Sequence, residues 1–401
     1  MTDTRLPEKE PTPPQRSPMM DRATGVGTSV ARSLLLPTLA MLTALIIGAV
    51  IIAFSDIEIL RLLFDDPGAA AGQMVSEVSR AYRALFRGSL GSVNSLSESL
   101  FAATPLLLAG LSVALGFRAG LFNIGAQGQM LMGGLAATYV GVYVSLPGII
   151  HIPLTLLAGF AGGMIWGGLA GLLKARTGAH EVITTIMGNF IAVFFMQWVL
   201  TTGIQDPGRN NPVSAELVTS ARLPRLFGVD YRVTIGLLLA IAFVFAVHWL
   251  LYQSSIGFEF RAVGSNPKAG SYAGMNVAIV VTLAMALAGG LAGMAGANQV
   301  MGLEPYKATP ALAGAVGFDA ITVALLGRSN PVGVLWAALL FGALAAGGRE
   351  MQGAAQVPID LVVVLQALIV IFVAAPGMIR AIYRVKGREE KPTQMTTGWG
   401  S

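Results

Sequence analysis

From Ser33 onward the chain alternates long apolar runs with short polar breaks. A helix needs about 20 apolar residues to cross a hydrocarbon core. On that measure the pattern predicts helices at 33–54, 97–117, 121–145, 152–173 and 182–202, and a second set at 232–252, 277–302, 311–327, 331–348 and 357–378. The predicted fold class is an all-α polytopic membrane protein with about ten transmembrane helices, because only hydrogen-bonded helices or closed barrels satisfy the backbone in lipid.

An even number of spans puts both termini on one side. Arg16, Arg22 and Arg32 flank the first span and Arg380, Arg384, Lys386 and Arg388 follow the last, so that side is expected to be the cytoplasm. Arg118, Lys174 with Arg176, Arg261 with Lys268, and Arg328 then fall inside, and the mixed-charge segments 55–96 and 203–231 outside. Residues 1–32, rich in proline and charge, are expected to be a disordered cytosolic tail. The membrane body runs from 33 to 380, and 381–401 forms a second cytosolic tail. Within 72–88, Met74, Val75, Val78, Tyr82 and Leu85 recur at helical spacing. That segment is either an amphipathic helix on the outer interface or a helix packed on protein or solvated outside.

The parity suggests a duplication. Helices two to five begin outside and helices seven to ten begin inside, and the two sets contain TPLLLAGLSVALGF and TPALAGAVGFDAITVALLG. An inverted repeat of helices 2–5 and 7–10 is the expectation, an architecture that places a path between two halves.

Composition sharpens the class. The chain is 54% hydrophobic and only 12% charged, with 49 glycines and no cysteine, whereas soluble domains carry about a quarter charged residues. Gly159, Gly163, Gly167 and Gly171 repeat at every fourth position, a smooth stripe along which another helix approaches closely. Intrachain packing is the preferred reading of that stripe over a dimer contact. The small-residue run 286–297 is expected deep inside the bundle.

Several chemistries are excluded. No G-x-x-x-x-G-K-[ST] stands in the chain, so it has no Walker site for nucleotide. There is no H-E-x-x-H, and His151, His180 and His248 lie in separate segments, so neither a metal site nor a cofactor is expected. The net charge of +5 follows the membrane-side distribution of Lys and Arg rather than marking a nucleic-acid surface. Only Asp319 and Asp360 are acids within spans, without an evident partner. That excludes paired-carboxylate chemistry and argues that any transport is driven from elsewhere than a proton relay.

What the spans do hold is carboxamide. GLFNIGAQGQMLMGG at 120–134 carries Asn123, Gln127 and Gln129, and further amides stand at Asn189, Gln197, Asn298 and Gln299. All seven are candidates for lining a solute path, the alternative for each being a bond that holds helices together. On a continuous helix Asn123 and Gln127 share one face, and Gly125, Gln129 and Gly133 form a stripe about 160° away. A third option is a helix that starts broken, its freed backbone groups satisfied by the amides. His180 and Glu181 read as a helix start, Asp319 with Thr322 as a cap, and Glu304 with Lys307 as an outer loop pair or a surface for a partner.

The inside loop 254–276 is the most specific segment. Apolar Ile256, Phe258, Phe260 and Val263 precede Gly264. Ser265 or Asn266 then caps a short helix with Pro267 in its first turn, running through Ala269, Ser271, Tyr272 and Ala273. Such a helix suits docking into a groove on a cytosolic partner.

This loop resembles the coupling loop of permease subunits of ATP-binding cassette importers in the branched-chain amino acid and simple-sugar superfamily. The family pattern falls on Gly257, Arg261, Ala262, Gly264, Asn266, Ala269, Gly274 and Val277, with Gly270 and Met275 departing from it. NIGAQGQMLMGG, HEVITTIMGNFIA at 180–192 and GFDAITVALLGRSNPVG at 317–333 are similar to the nucleoside-type permeases that work with basic-membrane-protein lipoproteins. The resemblance covers about 97–380. It implies two ATP-binding cassette subunits, a second permease chain and an extracytoplasmic substrate-binding lipoprotein as partners, in the bacterial cytoplasmic membrane. It also implies an uncharged polar solute, a nucleoside first and a simple sugar as the alternative; an ion-coupled secondary transporter is the remaining alternative.

Overall fold

The computed structural model describes residue 35 and residues 38–208 and 211–384. Its helices in chain order are α1 Thr38–Ala53, α2 Ile57–Asp65, α3 Pro67–Leu90, α4 Val93–Arg118, α5 Ala126–Tyr143, α6 Gly148–Thr177, α7 Glu181–Thr202, α8 Gly236–Gln253, α9 Ser255–Ser265, α10 Pro267–Tyr272, α11 Val277–Gly302, α12 Val316–Leu326, α13 Pro331–Ala355, α14 Ile359–Ala374 and α15 Pro376–Tyr383. No strand forms among the described residues beyond two isolated bridges, Gln205 with Ser214 and Arg225 with Thr234.

Every predicted segment coincides with a helix, but the expected ten full spans are corrected. Six helices (α4, α6, α7, α8, α11 and α13) are long and apolar enough to cross, and the number reaches eight if α1–α2 and α14–α15 each count as one bent span. The helix α5 carries Gln127 and Gln129 in its first turn and stands outside that set. The helix α12 has only 11 residues, about 16 Å at 1.5 Å per residue. The predicted start at 311 fails because residues 310–315 form turns. Pro310 restricts the residue before it, and Gly314 adopts φ +48°. At the other end helix α15 carries regular structure to Tyr383, past the expected boundary at 380. The predicted N-terminal tail and residues 385–401 lie outside the described residues.

The stripe on α6 packs within the chain. It crosses α11, where a Cβ added at Gly163 would overlap the Gly289 carbonyl and one added at Gly293 would overlap the Gly159 carbonyl. Gly133 of α5 abuts Gly293 as well, so three backbones meet where only glycine fits. Residues 288–297 of α11 are all buried, as the small-residue run demands.

The helix pairings carry the expected duplication. With α4–α7 set against α11–α14 in order, the α4–α13 contact is matched by α11–α6, α4–α12 by α11–α5, and α5–α7 by α12–α14. A second apolar cluster joins α1, α3, α13 and α14 through residues such as Ala44, Leu85, Leu344 and Leu365. The helix α3 therefore takes the protein-packed alternative: Ala81, Ala84 and Leu85 are buried and Gly347 of α13 abuts Leu85, while Val75 remains exposed.

Candidate functional site

The chain does not turn directly from α4 into the next helix. Gly120 takes φ +68°, residues 121–124 are non-helical, and α5 begins at Ala126 with no side-chain cap. The backbone groups freed by this break are satisfied by amides. Asn123 Nδ2 donates to Gln129 Oε1 at 3.0 Å and Gln129 Nε2 donates to Asn123 Oδ1 at 3.0 Å, so the two side chains form a closed reciprocal pair. Asn123 Oδ1 also accepts from the Gly125 N–H at 3.0 Å. From α7, Asn189 Oδ1 accepts from the Gly128 N–H at 2.8 Å while its Nδ2 donates to the Ile124 carbonyl at 2.9 Å.

This overturns the two-stripe geometry, because Asn123 precedes the helix and turns back onto Gln129. The broken-helix option is the one the chain adopts. Asn123, Gln129 and Asn189 are buried at 0%, 1% and 6% exposure and spend their bonds on the chain itself. The other candidates do not join them. Gln127 is pressed against Gly317 of α12, and its Oε1 is buried without a hydrogen-bond partner among the described residues. Asn298 packs on Gly236 of α8 with its Nδ2 likewise unpartnered among the described residues. Gln197 lies on the exposed face of α7, beside exposed Phe194 and Trp198, and Gln299 sits half-buried near the end of α11. The seven amides thus occupy several separate places rather than one site.

The loop 254–276 folds as two helices. Ser254 caps α9 by accepting from the Gly257 N–H at 3.0 Å. Asn266 caps α10 by accepting from the Ala269 N–H at 3.1 Å, with Pro267 in the first turn, as its sequence predicts. The preceding apolar residues form α9, whose Phe260 and Val263 are buried while Phe258 is exposed. Gly270 is buried beneath α10 against Val263, where an alanine Cβ would come within 3.0 Å of the valine Cγ2; the departure from alanine there relieves a tight contact. The outer side of α10, from Pro267 through Ala269 to Gly274, is open apart from Gly270, and Tyr272 is 94% exposed.

The paired helices grip the membrane body at two points. Gly264 sits on the turn after α4, where an added Cβ would approach the Ala119 carbonyl carbon to 2.5 Å and the Gly120 nitrogen to 2.7 Å. Arg261 lies over the Tyr252 ring at 5.5 Å, and Arg118 lies over the same ring at 5.8 Å. Arg118 in turn donates from Nε to the Ser329 carbonyl at 2.9 Å, tying in the turn between α12 and α13.

Two residues of this region were not singled out as contacts from the sequence. Tyr252 gives no signal beyond its place at the end of a span. Glu181, read only as a helix start, is buried. It takes a 2.5 Å ion pair from Lys174 and accepts from the Phe122 N–H at 3.4 Å, bracing the broken segment from the α7 side. Glu304 pairs with Arg225 and Lys307 with Asp206 at 2.7 Å, so both are engaged within the chain. No group of three or more His, Cys, Asp or Glu able to hold a metal occurs among the described residues.

Residues 95–374 match the family described as branched-chain amino acid transport system, permease component. The chain is similar to the guanosine ABC transporter permease of Bacillus subtilis, 39% identical over 322 residues, covering 79% of this chain and 92% of that protein. It is 38% identical to a glucose ABC transporter permease of Haloferax volcanii over 76% of this chain and 82% of that one. It is 33% identical to a nucleoside ABC transporter permease of Lactococcus lactis over 75% and 85% respectively. No solved structure matches. The family works with ATP-binding subunits and substrate-binding proteins and leaves ATP hydrolysis to separate chains. The chain, with its matched domain, exposed helix pair and apolar bundle, therefore belongs to the branched-chain amino acid transport system permease family, as a multi-pass transport subunit rather than an enzyme.

Proposed function

We propose that this permease translocates nucleosides, delivered by an extracytoplasmic lipoprotein, through a complex of two permease chains and two ATP-binding cassette subunits. The two permease chains are read as different, and both termini of this one as cytoplasmic in a bacterial inner membrane. Similarity to the guanosine and nucleoside permeases over most of the chain supports the solute. Glucose is the second reading, favoured by the comparable identity to the haloarchaeal relative.

The observation that carries the coupling role is the seat of Gly264 on the Ala119–Gly120 turn. A partner closing on the open side of α10 pushes α9, and α9 bears directly on the turn that leads into the broken start of α5. Interiors close-packed at this level transmit displacement rather than absorb it. The Asn123–Gln129 pair makes the broken segment a firm end to that linkage, and Arg118 carries the same movement toward α12 and α13.

Calorimetric titration of the purified partner lipoprotein with guanosine, adenosine and glucose tests the solute. Nucleoside binding at micromolar concentration or tighter is expected. Binding of glucose with no response to nucleosides would replace the nucleoside reading with the sugar one.

A further inference from the structure

The approach to α12 is irregular at a depth where lipid does not tolerate irregular backbone. Residues 303–315 descend beside α5: Leu312 abuts Gly134, and Gly317 abuts Gln127. Gly128, next to Gln127, abuts Asn189, the ninth residue of the 22-residue span α7, which places this level about 12 Å from one end of that span. The helix α12 therefore starts partway along the spanning bundle, and the turns from Thr309 to Ala315 continue beside α5 toward the level of Gly134.

Those turns are not sealed within this chain. Ala311, Gly314, Ala315 and Phe318 are exposed, and the N–H groups of Ala311 and Ala315 have no hydrogen-bond partner among the described residues. Non-helical backbone at membrane depth persists only where it is buried in protein or lines a water-filled cavity. One turn into α12 stands Asp319, inside the helix rather than capping it as expected, half-buried and without an ion pair or side-chain hydrogen bond among the described residues. An ionisable side chain at such depth marks a route for solute or ions.

We propose that the broken approach to α12, from Thr309 to Asp319, lines the water-filled route through which the solute passes, with the Asp319 carboxylate accepting hydrogen bonds from solute hydroxyl or N–H groups. The proposal rests on the permease reading, but its first test does not depend on which solute is carried.

The chain has no cysteine, so Ala311→Cys and Ala315→Cys each supply one reporter. In the assembled transporter in proteoliposomes, both are expected to react with a membrane-impermeant methanethiosulfonate at least tenfold faster than Phe245→Cys. Phe245 is an apolar residue 65% exposed midway along α8. Rates no higher than that of Phe245→Cys for both variants overturn the route. Asp319→Asn is expected to raise the KM for guanosine uptake at least tenfold with kcat kept, and an unchanged KM overturns the contact at Asp319. Fast labelling together with no nucleoside uptake by the wild-type complex would refute the nucleoside reading and leave the route standing.

Discussion

Asn123 and Gln129 exchange two hydrogen bonds of 3.0 Å across the break that precedes α5. Neither side chain is free to follow a passing solute, so the pair is a fastening and not a lining. Among the described residues, Gln129→Leu leaves Asn123 Nδ2 with only Ser112 Oγ at 3.5 Å. Losing a partner of a buried polar group costs about 1–3 kcal/mol. A lowered Tm of the detergent-purified chain with unchanged solute preference is the expected outcome. An altered preference at unchanged Tm would contradict it.

Two residues earlier the same substitution is expected to act differently. Gln127 Oε1 is buried and bonds to nothing among the described residues, so Gln127→Leu removes a polar burial penalty rather than a bond. Its Tm is expected to be equal to or above the parent's. A loss matching that of Gln129→Leu would show that both amides bind the chain.

The helix pair α9–α10 separates coupling from stability. Gly264→Ala drives a methyl group into the turn at Ala119, and Arg261→Glu exchanges the cation over Tyr252 for an anion, losing a contact of about 0.5–2 kcal/mol. Both are expected to lower uptake and the stimulation of ATPase activity by more than tenfold while membrane insertion stays intact. Tyr272→Ala, at a side chain 94% exposed, is expected to weaken the association with the ATPase subunit and leave Tm unchanged. Co-purification and thermal melts measure the two effects separately.

The glycine seam makes a prediction of folding alone. Gly163→Val has no room against Gly289 and Gly293 and is expected to abolish the recoverable folded chain. Gly72→Ala, in α3 with nothing within 4 Å of its Cβ position, is expected to gain about 0.5–1 kcal/mol from helix propensity alone. Monodispersity in size-exclusion chromatography and Tm compare the two.

These contrasts also mark where the sequence was legible. Each of the ten segments read from hydropathy falls on a helix, and spacing at every fourth residue located the α6 stripe, because both are local periodicities. The cap at Asn266 and the short helix after Pro267 were legible for the same reason. Whether Gln129 meets Asn123 or Gln127 does was not, since it depends on Gly120 turning the chain and α5 starting at Ala126 rather than at 121. The length of α12 was hidden by Ala311, Leu312 and Ala313, which read as helix while they pass as turns beside α5. Glu181 and Tyr252 each take one contact from a partner far away in sequence, the Phe122 N–H and the Arg118 guanidinium.

This chain is proposed to carry nucleosides inward at the expense of ATP. Proteoliposomes holding the permeases, the ATPase subunits and the lipoprotein, supplied with radiolabelled guanosine, test it most directly. Accumulation that requires ATP on the side bearing α10 is expected, and none from this chain alone under a pH gradient. Guanosine uptake by the isolated chain driven by the proton gradient, with no response to ATP in the complex, would contradict it.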